Sequence, residues 1–166
     1  MNLKLTIDGQ AKFNGAFDTL AEGITDFRPV WPEIELQFFR AELEQFNTIG
    51  ARGGQVWQPL SKGYAKWKAK KYPGKPILQR SGRLLRSLSV IGGADSVREA
   101  EPLSLTLGTR VPYANYHQHG TRKMPQRPPM QLTRDDYGKF VSRIYRFAEK
   151  QAKQAGFEVK TTGSVQ

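Results

Sequence analysis

Residues 29–50 read PVWPEIELQFFRAELEQFNTIG and form a better helix than anything before them. Pro32 suits a first-turn position, where its missing N–H costs nothing, and Glu33 and Glu35 favour the positive end of the helix dipole. Ile34, Phe38, Ala41 and Gln45 recur on one side, and Phe39, Leu43 and Phe46 lie beside that stripe. So wide an apolar face predicts burial on two sides, by the core and by a neighbouring subunit. Gly50, Gly53 and Gly54 then break the chain into a loop that ends at Trp57-Gln58-Pro59-Leu60.

On the N-terminal side, Leu3, Leu5 and Ile7 alternate with polar residues, predicting a short strand that stops at Asp8-Gly9. Phe13, Phe17, Leu20, Ala21 and Ile24 follow helical spacing, weakened by Gly23. On the other side, Ser61 is a cap for a helix over residues 62–71, which the segment YPGKP stops. Ser81 is the next cap, and Leu84, Leu85 and Leu88 mark a short helix running into a strand at residues 89–91. Leu103, Leu105 and Leu107 alternate with Ser104 and Thr106, the clearest strand signal in the chain, and pairing with residues 89–91 across Gly92 to Asp95 predicts a hairpin. Residues 111–120 fit one or two helical turns, Pro125, Pro128 and Pro129 force extended backbone, and Thr133 with Asp135 and Asp136 starts a helix carried by Phe140, Ile144, Phe147 and Ala148 to about Ala155. The expected fold class is α+β: a small antiparallel sheet packed by several helices, in one domain over residues 1–156. Loop arms are expected at about 49–59 and 120–131, with a flexible tail over 157–166.

Charge is spread unevenly along these elements. Residues 1–50 carry four basic and eight acidic side chains, whereas residues 51–90 carry ten basic and none acidic. Such a division points to contact with a polyanion or to head-to-tail self-association of an acidic face with a basic one. No apolar run is long enough to cross a bilayer, and MNLKLTIDGQ lacks the apolar stretch of a signal peptide, so a soluble protein made in a cytoplasm is expected. With no cysteine, disulfides, thiolate metal sites and cysteine nucleophiles are excluded.

Chemistry is sparse. His117 and His119 would share a metal only on extended backbone, because on a helix their side chains diverge by roughly 200°. A third ligand is missing, since Asp135 and Asp136 are better placed to stabilise a helix N-terminus. The H-Q-H triplet with Tyr116 is similar to the H-x-H and tyrosine of single-strand nucleases, which want an apolar residue where Gln118 stands. Ser61 and Ser81 have no G-x-S-x-G setting, and GGQVWQPLSKG lacks the G-K-[ST] ending of a phosphate loop. The basic block interleaves Lys62, Lys66, Lys68, Lys70, Lys71 and Lys75 with Tyr64, Trp67 and Tyr72, residue types that contact phosphate and stack bases. The bland alternative is that Trp57, Tyr64 and Trp67 are core and only the lysines are wet.

One ordered series of motifs goes further. W-Q-P-L-S-x-x-Y-x-x-W-K at Trp57 to Lys68 is followed by Y-P-G-K-P-I-L at Tyr72 to Leu78 and S-G-R-L-x-x-S-L at Ser81 to Leu88. G-T-x-V-P-Y-A-x-Y-H-Q-x-G-T at Gly108 to Thr121 and M-P-x-R-P-P-M at Met124 to Met130 complete it. The series resembles the phage virion morphogenesis family, the Mu-like tail completion or neck proteins of tailed bacteriophages, over about residues 30–150. It departs at His119, and at Pro129 and Met130, where larger Phe or Leu-type residues are expected. The resemblance implies a structural protein, not an enzyme, with no cofactor, located in the virion neck at the head-tail interface after assembly in the host cytoplasm. It implies a homo-oligomeric ring around the DNA channel, commonly sixfold, that meets head-tail connector and tail terminator or tail tube proteins. Trp57, Tyr113, Tyr116, His117, Arg122, Lys123 and Arg127 are then expected at subunit or partner interfaces, and Lys62, Lys66, Lys68, Lys70, Lys71 and Lys75 toward DNA. His117 is expected to be a hydrogen-bonded residue at the core edge. Deletion of residues 122–129 is expected to spare folding and abolish assembly. A basic nucleic-acid-binding module and a metal-dependent nuclease using His117 and His119 are the alternatives.

Overall fold

The computed structural model describes the backbone of residues 3–8 and all of residues 25–154. The expected helix over residues 13–24 and the tail after Gln154 lie outside the described residues. Strands β1 (Leu3–Asp8), β2 (Ser96–Ala100) and β3 (Ser104–Thr109) form an antiparallel sheet in the order β1-β3-β2. Leu3 pairs with Thr109 and Asp8 with Ser104 on one side of β3, while Ser96 pairs with Thr109 and Ala100 with Leu105 on the other. Being central, β3 buries every residue from Leu105 to Thr109, including Thr106 and Gly108, where the Leu-Ser alternation had implied one wet face.

Helix α1 (Trp31–Asn47) is WPEIELQFFRAELEQFN, as expected of the opening stretch, with Pro in its first turn and Glu33 at its positive end. Its Trp31, Ile34, Phe38 and Phe46 are fully enclosed by Leu84 and Leu88 of α3 (Arg83–Ser89), Leu105 and Leu107 of β3, and Phe140 and Ile144 of α5 (Arg134–Gln154). Of the wide face expected, only Leu43 is exposed; Ile34, Phe38, Phe39, Ala41, Gln45 and Phe46 are all buried. Two polar contacts fasten α1 to the hairpin, Trp31 Nε1 donating to the Glu101 carbonyl at 2.8 Å and Arg98 pairing with Glu35 at 2.7 Å.

The hairpin itself is not the one expected. Residues 89–91 do not form a strand: α3 runs to Ser89, Gly92 takes a left-handed φ of 70°, and Val90 and Ile91 are exposed. The partner of β3 is instead β2, SVREA, joined through residues 101–103. Only Val97 of β2 is buried, so its sequence lacks the apolar alternation that marks a half-buried strand.

The end of α1 is fixed by Gly50, whose φ of 86° belongs to the left-handed region. A Cβ there would lie 2.4 Å from the Gln55 carbonyl oxygen and 2.5 Å from Cδ1 of the buried Trp57 ring. Gly50→Ala combines backbone strain with overpacking and is expected to cost about 2 kcal/mol or more. A urea melt should show the midpoint falling with little change in slope.

Candidate functional site

Two loops cross at the end of α1. Trp57 stacks edge-on against Phe46 with ring centres 5.3 Å apart, and its Nε1 donates to the Pro128 carbonyl at 3.1 Å. Gln45 Nε2 donates to the same carbonyl at 3.1 Å, while Gln45 Oε1 accepts from the Gly53 amide at 3.0 Å. Arg127 Nε donates to the Gln58 carbonyl at 2.7 Å and one terminal nitrogen to the Pro59 carbonyl at 2.8 Å. Gln118, on the short helix α4 (Ala114–His119), exchanges two bonds with the Met130 backbone, Nε2 to its carbonyl at 2.9 Å and its amide to Oε1 at 3.2 Å.

These bonds correct three expectations. Trp57 and Arg127 are buried inside the chain and bonded to backbone carbonyls of other loops; Trp57 is therefore core, while Arg127 also lines a cavity. The extended segment after Gln126 is held against its own body, so its reading as an arm along a neighbour is replaced for those residues. Deleting residues 122–129 would remove the acceptor for Trp57 and Gln45 and would therefore not spare folding.

Helix α2 (Lys62–Lys71) stands beside this crossing, and Lys68 is its single buried residue. Lys68 Nζ bonds the Pro76 carbonyl and is buried, unlike the other lysines of the expected DNA set; burial lowers its pKa from the usual lysine value. Lys62, Lys66, Lys70, Lys71 and Lys75 are exposed. So are Tyr64 and Trp67, each at 42%, stacked on one another with centres 5.3 Å apart, and Trp67 in turn meets Tyr72 edge-on at 5.7 Å. The idea that these two aromatics are core is thereby overturned.

A cavity of about 450 Å³ opens between α2 and the residues around α4. Its cationic lining is Lys68, Arg80, Lys123 and Arg127, and its rings are Tyr64, Tyr113 and His117. The structure thus gathers Tyr113, His117, Lys123 and Arg127 of the expected interface set with Lys68 of the expected DNA set. Tyr116 and Arg122 are exposed outside the lining. Arg80, placed 5.8 Å from the centre of the Tyr72 ring, was missed by sequence reasoning; its only signal was its position in the acid-free block. His117 is half-buried, and its Nδ1 has no hydrogen-bond partner among the described residues, unlike the bonded histidine expected. Burial, and secondarily the Arg127 charge, lower its pKa, leaving it neutral near pH 7.

His117 and His119 sit on a helix, so their rings diverge and cannot share a metal. Among the described residues no group of three His, Asp or Glu side chains is placed to hold a cation. A separate charged cluster lies at the start of α5, where Asp136 is fully buried. Its Oδ2 accepts from the Thr133 amide and hydroxyl, both at 2.8 Å, and its Oδ1 pairs with Arg52. Arg52 also holds Glu44 at 2.9 Å, while Glu42 lies nearby with neither oxygen hydrogen-bonded among the described residues.

No helix among the described residues is long and apolar enough to cross a membrane. No curated protein and no solved structure gives a significant match to the chain. The model of the phage virion morphogenesis family, however, matches residues 8–147, a span that takes in β2, β3, the crossing loops and the cavity. A role as a structural or assembly protein of the phage virion goes with that match, and the chain belongs to the phage virion morphogenesis family.

Proposed function

We propose that the chain is a ring-forming subunit of the virion neck, acting in tail completion and head-to-tail joining around the DNA channel. The observation that carries this reading is α2, a helix whose aromatic side chains find no place in their own core. Tyr64 and Trp67 remain exposed on a helix that also carries the exposed Lys62, Lys66, Lys70 and Lys71, and a stacked aromatic pair is a costly thing to leave in water. An acidic patch on a neighbouring copy, to which the exposed carboxylates of Glu33 and Glu44 would contribute while Glu35 and Glu42 are buried, would complete a heterologous contact that closes into a ring. Connector and tail terminator or tube proteins are the expected neighbours above and below, with DNA in the channel.

Native mass spectrometry, and an averaged map of the virion neck, test the proposal; a protein that stays monomeric and is absent from purified particles removes it. The double variant Tyr64→Ser/Trp67→Ser is expected to change stability by only about 0.5 kcal/mol, as surface substitutions do, yet to abolish ring formation. The same platform suits single-stranded nucleic acid, which favours the second reading of a basic binding module. That module would show affinity for free DNA falling steeply with salt, lost in the same double variant.

A further inference from the structure

The cavity beside α2 has an unbalanced charge. Lys68 and Arg127 are each only 4% exposed, and both line it. Their acceptors are neutral carbonyls: Pro76 for Lys68, Gln58 and Pro59 for Arg127. Carbonyl dipoles satisfy the hydrogen bonds, but they cancel no net charge, and a buried cation without a counter-charge is costly. Arg80 and Lys123 add two exposed cations at the same lining, to which no carboxylate contributes. Of the five N–H directions of the Arg127 guanidinium, the two backbone carbonyls take two and fix its plane, leaving the group oriented and still able to donate.

Leu60, Leu78, Met124 and Pro125, with the rings of Tyr64 and Tyr113, supply apolar wall, and Ser61, Ser81 and His117 complete the lining. A volume of about 450 Å³ lies in the range of pockets that enclose a small ligand or a few side chains. A duplex phosphate would not bring anything to match the apolar walls, and a broad DNA backbone cannot lower a phosphate onto cations this deeply buried. A side-chain carboxylate flanked by apolar residues does both.

We propose that this cavity binds a carboxylate carried on a short, partly apolar peptide segment of a neighbouring virion protein. The carboxylate meets Arg127 and Lys68 at the inner wall, with Arg80 and Lys123 closing over it, and its apolar neighbours lie against Leu78, Met124 and the two tyrosine rings. This deepens the assembly reading, on which the nature of the partner rests, while its test needs no particle and no ring. Failure of the peptide to bind therefore leaves the neck proposal standing, and a chain absent from the neck leaves the peptide result standing.

The test is a titration of the full chain followed by two-dimensional NMR of the histidine and tyrosine rings. The probes are the peptides acetyl-Phe-Glu-Leu-amide and acetyl-Phe-Gln-Leu-amide, inorganic phosphate, and a short DNA duplex. The Glu peptide is expected to shift the His117 and Tyr113 signals saturably and to raise the His117 pKa, because a negative charge has moved in beside it. The Gln peptide should bind about tenfold or more weakly, the value of a charge-assisted hydrogen bond set. Arg127→Ala is open to the objection that it unfastens the loops, so Arg80→Ala and Lys123→Ala, both at exposed positions, are the informative variants. Each should weaken the Glu peptide several-fold with unchanged spectra elsewhere. The proposal is overturned by no saturable shift at millimolar peptide, by equal binding of the Gln peptide, or by phosphate or duplex binding at these residues as tightly as the Glu peptide.

Discussion

Asp136→Ala should lower the unfolding free energy by roughly 3–4 kcal/mol, near the lower end for breaking a buried ion pair. Asp136 is fully buried, and its two oxygens do different work. Oδ2 accepts the Thr133 amide and hydroxyl while the Asp136 amide reaches back to Thr133 Oγ1 at 3.3 Å, a reciprocal cap on the first turn of α5. Oδ1 holds Arg52, which ties the loop after α1 to α5. Burial works to raise the Asp136 pKa, but the Arg52 and Thr133 hydrogen bonds outweigh it and hold the carboxyl below the usual range. The loss stays below the upper end because Arg52 keeps Glu44, an exposed partner. Asp136→Asn, which preserves the cap acceptor and removes the charge, should fall between the two. A double-mutant cycle with Arg52→Ala measures the pair directly, and a coupling near zero would show that the cap alone carries the effect.

The Thr133 and Asp136 cap was legible because it is local: three residues separate the partners, and the helix period begins beside them. Its other half was not, because Arg52 lies 84 positions away and nothing in either neighbourhood marks the pair. The same division runs through the molecule. Helices α1 and α5 declare themselves by spacing, α2 by Ser61 before it and the YPGKP stop after it, and β3 by alternation. Strand β2 does not, since one buried residue in SVREA gives no pattern. In the site, the sequence shows which residues are basic but not which are turned inward. Lys68 and Arg127 read as surface cations by every composition rule, and only the fold supplies the carbonyls of Pro76, Gln58 and Pro59 that allow their burial. Trp57 was assigned to an interface because the motif around it is family-like; its acceptor is a proline carbonyl, a backbone group that carries no sequence signal.

Glu42 sets the pH behaviour of the same region. Both its oxygens are buried and, among the described residues, neither makes a well-formed hydrogen bond, although the Gln131 backbone is near enough to favour the charged form. Burial pushes its pKa from 4.5 up to about 8, the Gln131 backbone and the Arg52 charge only partly opposing this, so the folded chain holds Glu42 neutral at pH 7. The unfolded chain releases that proton near pH 4.5, so between the two values the folded state binds more protons than the unfolded one. Stability from this group is therefore complete below about pH 4.5 and is lost as pH rises toward about 8, at up to about 1.4 kcal/mol per pH unit. Asp136 titrates in the opposite sense and lower, its contribution being lost as pH falls through its depressed pKa. Glu42→Gln keeps the volume and abolishes the titration, so the variant and the parent should have similar stability near pH 4. They should then diverge steadily, the variant ahead by on the order of several kcal/mol at pH 8. Because both chains retain Asp136 and Arg52, the difference between their denaturation curves isolates Glu42. A difference independent of pH from 4 to 8 would mean that Glu42 is already ionised in the folded chain and shares Arg52 with Asp136, in which case Asp136→Ala would cost less than a buried pair should, since Arg52 would have a second buried carboxylate to hold.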